Sequence, residues 1–319
     1  MKHIFIINPA AGKGVIQGKL MSELTARNLD FYITKGPGDG ENFARKMCEN
    51  DPDTKLRFYA CGGDGTLNEA VNGIFGFGHA EAACYPCGSG NDFIRSFDAP
   101  AEYFSDLGRQ LAGSAVFADL IRYRGDASDP AARYAVNMCN IGFDCNVAAN
   151  MSNFKKYPFI SGRAAYLLAI VTTLLKKEGA VVSVNFDDGS EFSGKVLFTA
   201  IGNGAYCGSG LKAIPYAAVG DGLLDVCIVK DLSRRAIIAL FKKYAEGAHV
   251  SDPRLSHLIC YKKCAGVSVK IENAQKRMGV DGDMRPAASA AFEIVPDAIR
   301  FSLPNCSTDF DTAINQTHE

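Results

Sequence analysis

Four times in its first 121 residues the chain passes from an apolar run through a glycine-bearing turn into an amphipathic stretch. Ile4–Ile7 leads into Asn8-Pro9-Ala10-Ala11-Gly12-Lys13-Gly14, and Phe31–Thr34 into Lys35-Gly36-Pro37-Gly38. Leu56–Ala60 leads into Gly62-Gly63-Asp64-Gly65, and Ala82–Tyr85 into Pro86-Cys87-Gly88-Ser89-Gly90. Strands alternating with helical segments read as βαβ units, so residues 1–121 are expected to form a mostly parallel sheet with helices on both faces, a three-layer α/β/α domain. Ligands of such sheets bind beyond the carboxyl ends of the strands, which is where the glycine turns fall.

From about residue 122 the texture changes. Tyr134–Met138, Val181–Phe186, Gly194–Gly202, Leu224–Val229 and Val267–Ile271 are strand-like runs, interrupted by two helical stretches. Residues 122–296 are therefore expected to form a second, β-sandwich-like domain, and Ala298–Leu303 a further strand before a polar tail. A length of 319 residues, 47% hydrophobic and 22% charged, fits two globular domains rather than a disordered or fibrous chain.

Lys+Arg 34 against Asp+Glu 35 leaves a net charge of −1, which argues against nucleic-acid binding by bulk charge. Met1 opens directly into a strand-like run without the pattern of a secretory leader, so the eleven cysteines are expected to be free cytosolic thiols. Cys84/Cys87 and Cys260/Cys264 resemble zinc half-sites, but neither has a partner pair at finger-like spacing. The most apolar stretch, Ala164 to Leu175, is shorter than the about twenty residues of a spanning helix, and a buried helix is expected there.

Cys61-Gly62-Gly63-Asp64-Gly65-Thr66-Leu67-Asn68-Glu69 is the most informative segment. Glycine lets the backbone turn sharply and approach a ligand closely. Thr66 and Glu69 have capping-box spacing, so a helix is expected to begin here, with Leu67, Ala70, Val71, Ile74 and Phe75 as its apolar stripe. A helix amino end suits phosphate. Asp64 does not, unless a divalent cation or a proton stands between carboxylate and phosphate; it points either to metal-assisted phosphoryl chemistry or to a tight turn bonded to its own backbone. The P-loop pattern and a Gly-x-Gly-x-x-Gly after the first strand are both absent. Asp92, in the next loop, and Asp119, in Val116-Phe117-Ala118-Asp119-Leu120, complete a set of three acids at loop or strand positions flanking one cleft.

These residues match a known family. Asn8-Pro9-Ala10-Ala11-Gly12, Gly62-Gly63-Asp64-Gly65-Thr66, Gly88-Ser89-Gly90-Asn91-Asp92-Phe93, Asn140-Ile141-Gly142-Phe143-Asp144, Asp221-Gly222-Leu223-Leu224-Asp225 and Val280-Asp281-Gly282-Asp283 stand in family order over nearly the whole chain. The chain resembles the soluble diacylglycerol kinase catalytic family, which holds bacterial lipid kinases and the sphingosine and ceramide kinases. The resemblance implies ATP as phosphoryl donor, Mg²⁺ as cofactor, a lipid hydroxyl as acceptor and an active site between a nucleotide-binding α/β domain and a β-sandwich. It also implies that the last strand, within 297–319, returns to the first domain. Carried over by motif, the nucleotide contacts are Asn8, Pro9, Ala10, Ala11, Gly12, Thr34, Gly63, Asp64, Gly65, Thr66, Leu67, Asn68, Glu69 and Ser89, the last in place of threonine. The metal ligands are Asp221 with the carbonyls of Ala218 and Leu223, and Asp64, Asp92 and Asp119 form a carboxylate network by the phosphates. Asp283 is the expected general base, where relatives generally carry glutamate. The loss of one methylene shortens its reach by about 1.5 Å.

Phe154, Phe159, Tyr166 and Leu167 are candidate lipid-cleft residues. Arg234–Tyr244, which mixes Arg234, Arg235, Lys242 and Lys243 with Ile237, Ile238, Leu240 and Phe241, reads either as an amphipathic helix on anionic lipid or as an ordinary surface helix. The expected protein is a cytoplasmic lipid kinase, peripheral at the inner membrane face, acting on diacylglycerol or a related lipid alcohol, with a homodimer left open. The alternative is a nucleotide- and lipid-binding protein of the same fold without turnover.

Overall fold

The structure, a computed structural model, describes residues 1–125, 132–142, 169, 179–272 and 277–307, with the backbone alone at 13–17. It divides into two compact units, one of Met1–Ala118 and the chain from Asp297 onward, the other of Asp119–Pro296.

In the first unit the chain runs β1 (Lys2–Ile7), α1 (Val15–Ala26), β2 (Asp30–Ile33), α2 (Asp39–Asn50), β3 (Leu56–Gly62), α3 (Asp64–Ile74), β4 (Ala80–Pro86) and a short α4 (Leu107–Leu111). It leaves the unit within β5 (Ser114–Arg124) and re-enters within β15 (Ser289–Leu303). The sheet order is β2-β1-β3-β4-β15, every pair parallel. On one face Phe5, Ile7, Tyr59, Cys61, Ala83 and Tyr85 pack against Leu20 and Leu24 of α1 and Leu107 of α4. The alternate residues Ile4, Ile6, Phe58, Ala60 and Ala82 are equally buried. On this other face α3 lies against β3 and β4, and α2 approaches β1, where a Cβ on Gly40 would stand 3.4 Å from Ile6 Cγ2. Burial on both faces is why these strands read as continuous apolar runs rather than alternating ones.

The second unit holds the end of β5, β6 (Arg133–Ala135), β7 (Met138–Gly142), β8 (Ala180–Phe186), β9 (Glu191–Gly202), β10 (Leu224–Lys230) and α5 (Arg234–Glu246). β11 (Ile259–Cys264), β12 (Gly266–Ile271), β13 (Arg277–Val280), β14 (Asp283–Pro286) and the first half of β15 follow. β14, β13, β7, β9, β8, β12 and β15 pair in that order, β10 lies on β9 and β11 on β10, all antiparallel. β10 divides its residues between two cores. Leu224, Val226 and Ile228 enter the core shared with β8, β12 and β15. Cys227 and Val229 meet Ile237, Leu240 and Tyr244 of α5.

The expected strand Tyr134–Met138 is broken. β6 ends at Ala135 and β7 begins at Met138, because the N–H groups of Val136 and Asn137 go to the carboxylate of Asp281 instead of a neighbouring strand. Among the described residues no helix is long and apolar enough to cross a membrane. Apart from Ala169, which is helical and buried, the expected helix at Ala164 to Leu175 lies outside the described residues, as do the candidate lipid contacts Phe154, Phe159, Tyr166 and Leu167 and the motif residues Phe143 and Asp144.

Candidate active site

In the first unit the loops after β1, β3 and β4 meet. The side chain of Asn8 does two things: its Oδ1 accepts from Ala10 N at 3.0 Å, curling the 8–12 loop, and its Nδ2 donates to Thr66 Oγ1 at 3.1 Å. Pro9, Ala10 and Gly12 are left exposed at the loop's tip, with Ala11 half-buried. α3 starts at Asp64 behind Gly63, and no side chain caps it. Thr66 N and Leu67 N both donate to Gly63 O, which closes the first turn of α3 on the loop after β3 and sets the positive end of the helix dipole there.

The expected capping box is not formed. Glu69 instead caps the neighbouring helix: its carboxylate accepts from Gly38 N at 2.8 Å and Gly40 N at 3.1 Å, at the start of α2. Gly38 has φ 81°, outside what a residue with a Cβ adopts readily, and a Cβ on Gly40 would stand 2.8 Å from Glu69 Oε2. Leu67 and Asn68 face the interior, and Asn68 accepts from Asn72 Nδ2. Thr34 is buried; its N–H donates to Ile7 O at 2.9 Å at the end of the β1–β2 ladder, and its hydroxyl donates to the same oxygen at 3.3 Å.

The loop after β4 is pressed onto the amino end of α3. Cys87 N and Gly88 N donate to Gly62 O, and a Cβ on Gly88 would lie 2.5 Å from Gly63 Cα, a contact only glycine permits. Asp92 N donates to Asp64 Oδ1 at 2.8 Å. Between them stands Gly90, whose Cβ, if present, would be 2.6 Å from Asp64 Oδ2 and 3.4 Å from Asp92 Oδ2. Two carboxylates therefore flank one glycine Cα, with Arg95 Nε 3.6 Å from Asp92 Oδ1 and Ser89 exposed on the same loop. Burial pushes the Cys84 thiol well above its usual value and that of Cys87 up to about 11, so both stay protonated at neutral pH.

The second unit holds the remaining candidates. Asp119 is buried in β5, where its Oδ2 accepts from Gly222 N at 2.8 Å and its carbonyl from Asn203 Nδ2 at 2.8 Å. In the turn before β10, Asp221 N donates to Ala218 O at 3.3 Å and Leu223 N to Asp221 Oδ1 at 3.0 Å. Lys263 Nζ bridges Asp221 Oδ2 at 2.7 Å and Asp225 Oδ2 at 2.9 Å, and Tyr261 donates to Asp225 Oδ1 at 2.6 Å. Burial pushes the Asp225 carboxyl above its usual value, against the pull of Tyr261 and Lys263. Asp283 is exposed at the first position of β14.

Sequence reasoning overlooked Asn203 and Lys263. Lys263 stands directly opposite Asp225 across β10 and β11, a pairing readable only once β11 is recognised as a strand. The two buried amide donations of Asn203 leave no local pattern.

With this geometry in place, comparison with known proteins is decisive. Residues 2–123 match the diacylglycerol kinase catalytic domain and residues 137–303 the YegS C-terminal NAD kinase beta sandwich-like domain. The chain belongs to the diacylglycerol kinase-like lipid kinase family. A YegS-like lipid kinase of Alcanivorax borkumensis is 29% identical over 91% of this chain and 95% of that one. One from Pseudomonas aeruginosa is 34% identical over 69% and 68%, and a diacylglycerol kinase of Staphylococcus saprophyticus 24% over 94% of each. A crystal structure of a diacylglycerol kinase from Bacillus anthracis, 21% identical, superposes with a TM-score of 0.67 over 96% of this chain and 97% of that one, a likeness of fold. The kinase is thus a phosphotransferase with an α/β catalytic domain and a β-sandwich-like second domain.

Proposed function

We propose that this kinase uses ATP and Mg²⁺ to phosphorylate the hydroxyl of diacylglycerol or a related lipid alcohol at the cytoplasmic face of a membrane. The observation that carries the reading is the junction of three loops on the amino end of α3, where the Asn8 side chain ties its loop to Thr66, Gly88 packs on the backbone of Gly63, and Asp64 and Asp92 stand beside them. Backbone N–H groups and a helix dipole suit a triphosphate held by Asn8 through Gly12, Gly63 through Thr66 and Ser89. Thr34, Leu67, Asn68 and Glu69 act from behind, holding β2, α3 and α2 in place.

Two carboxylates at a phosphate site call for a cation. The pair at Gly90 fits a hydrated hard ion, which when bound offsets the charge that Asp64 and Asp92 set against the phosphates. Ala218, Asp221 and Leu223 offer the oxygen-only donor set of a structural Mg²⁺ site, although Lys263 already holds one Asp221 oxygen, so ion and ammonium compete there. The same turn donates Gly222 N to Asp119, which fixes that acid.

In the transfer the lipid oxygen bonds to the γ-phosphorus, the bond to the β–γ bridging oxygen breaks, and ADP leaves with the electron pair. The hydroxyl proton passes to the Asp283 carboxylate. Membrane contact is assigned to α5. Its apolar residues Ile237, Leu240 and Tyr244 are committed to the core, and Arg234, Arg235 and Lys242 surround Ile238, 66% exposed, on the outer face. That cationic face suits anionic lipid.

The test is transfer of labelled γ-phosphate to lipid alcohols in mixed micelles. Asp64→Ala is expected to abolish it and Asp283→Asn to lower kcat roughly 100-fold or more, while Asp283→Glu retains it. Full activity in Asp283→Asn would remove Asp283 as the base. Nucleotide binding without transfer to any lipid of a total extract would leave a binding protein of the same fold.

A further inference from the structure

Asp283 carries its carboxylate on a single methylene. Where its oxygens lie is therefore set by two torsions and by the backbone beneath them. That backbone is a two-residue hairpin: Val280 pairs with Asp283, and between them Asp281 and Gly282 have φ of 46° and 89°. Two successive left-handed residues make the tight turn that matches strand twist, for which Asn-Gly or Asp-Gly is the usual pair.

Asp281 does more than a turn requires. It is only 6% exposed, and its carboxylate accepts three consecutive backbone N–H groups: Val136 to Oδ2 at 2.7 Å, and Asn137 and Met138 to Oδ1 at 3.0 and 2.9 Å. Its own N–H returns to Met138 O at 3.0 Å. The segment it grips is itself clamped. Asn203 N and Gly204 N donate to Asn137 O, and Asn203 Nδ2 donates to Val136 O and to Asp119 O. One continuous run of hydrogen bonds thus joins the hairpin of Asp283 to the strand of Asp119. Three N–H groups converging on one buried carboxylate need an anion, which the amide of an Asn-Gly turn cannot supply, since it would set a donor against at least one of them.

We propose that Asp281 is the positioning residue for Asp283, an anionic anchor that fixes the base-bearing turn on the 136–138 segment. The proposal rests on the reading of Asp283 as general base. It predicts a loss in turnover, with nucleotide binding spared, that exists only while Asp283 can act.

The experiment compares wild type, Asp281→Asn, Gly282→Ala, Asp283→Asn and the Asp281→Asn/Asp283→Asn double variant in the lipid-transfer assay. ATP affinity, and amide exchange at residues 136–138, are measured alongside. Asp281→Asn is expected to lower kcat roughly 10- to 100-fold, with the KM for ATP within about twofold and faster exchange at those three amides. In the Asp283→Asn background the same change is expected to cost nothing further. Gly282→Ala meets no atom within 4 Å and strains only the left-handed backbone, so it is expected to lower kcat in the same sense should Asp281→Asn fail to fold. A full additional loss in the double variant, or wild-type turnover in Asp281→Asn, overturns the positioning role while leaving the base in place. Wild-type turnover in Asp283→Asn overturns the base reading and the proposal together.

Discussion

At Gly90 the absence of one carbon decides where two charges sit. The Cα lies between Asp64 and Asp92, and a methyl group there would enter the space of Asp64 Oδ2 at 2.6 Å. The φ of Gly90 is not left-handed, so alanine meets no backbone penalty and acts only by displacing the carboxylate. Gly90→Ala is therefore expected to leave circular dichroism and melting temperature near wild type while lowering phosphoryl transfer roughly 10- to 100-fold. Equal losses of stability and activity would show instead that the loop itself had come apart. Much at this scale was legible beforehand: the glycines, Asn8, Asp64 and Asp92 announce themselves as turn chemistry at strand ends. Asp281 does not, because its partners lie 143 to 145 residues away and nothing beside it in the sequence marks a buried anion.

Among the elements, α2 and α3 are joined through Glu69. Its carboxylate closes the amino end of α2, and further along Gly73 lets α3 approach until a Cβ there would stand 2.6 Å from Glu41 O. Glu69→Ala is expected to cost about 1–2 kcal/mol in denaturant unfolding, the range of a lost helix cap made by a charged acceptor. Glu69→Gln, which keeps one acceptor, is expected to lose less. The capping-box spacing of Thr66 and Glu69 misled because a local pattern cannot show that a carboxylate turns towards a helix 29 to 31 residues upstream. The strands of the first unit were legible for a physical reason, burial on both faces. β11 was not: Ile-Cys-Tyr-Lys-Lys-Cys is only partly buried and places two lysines in mid-strand. The four-residue strands β13 and β14 are too short to show a period.

Over the whole molecule, pH dependence has an identifiable contributor. His249 is fully buried, with Nε2 3.1 Å from Ala213 O and its ring against Tyr244. Burial holds its pKa below the ordinary 6.5, outweighing the bonds to the carbonyls of Ala213 and Lys243. As pH falls from 6.5 the unfolded chain takes up a proton that the folded chain refuses, so stability present above 6.5 is lost progressively down to the depressed pKa. His3, lowered by burial and by Arg57, acts in the same sense. Unfolding free energy is expected to decline as pH falls below about 6.5, and His249→Gln to flatten part of that decline. An unchanged slope in the variant would assign the effect elsewhere.

The parallel pairing of β15 with β4 reaches beyond the finished fold. Arg300 aligns with Glu81, Phe301 with Ala82 and Ser302 with Ala83, and Arg300 Nε supplies the outer oxygen of Glu81 with its partner at 3.0 Å. A ribosome releases β4 more than two hundred residues before the strand that covers it. During vectorial synthesis the sheet of the first unit must therefore wait with β4 as an open edge, and a message truncated ahead of codon 300 is expected to yield aggregating chains rather than a free-standing first unit.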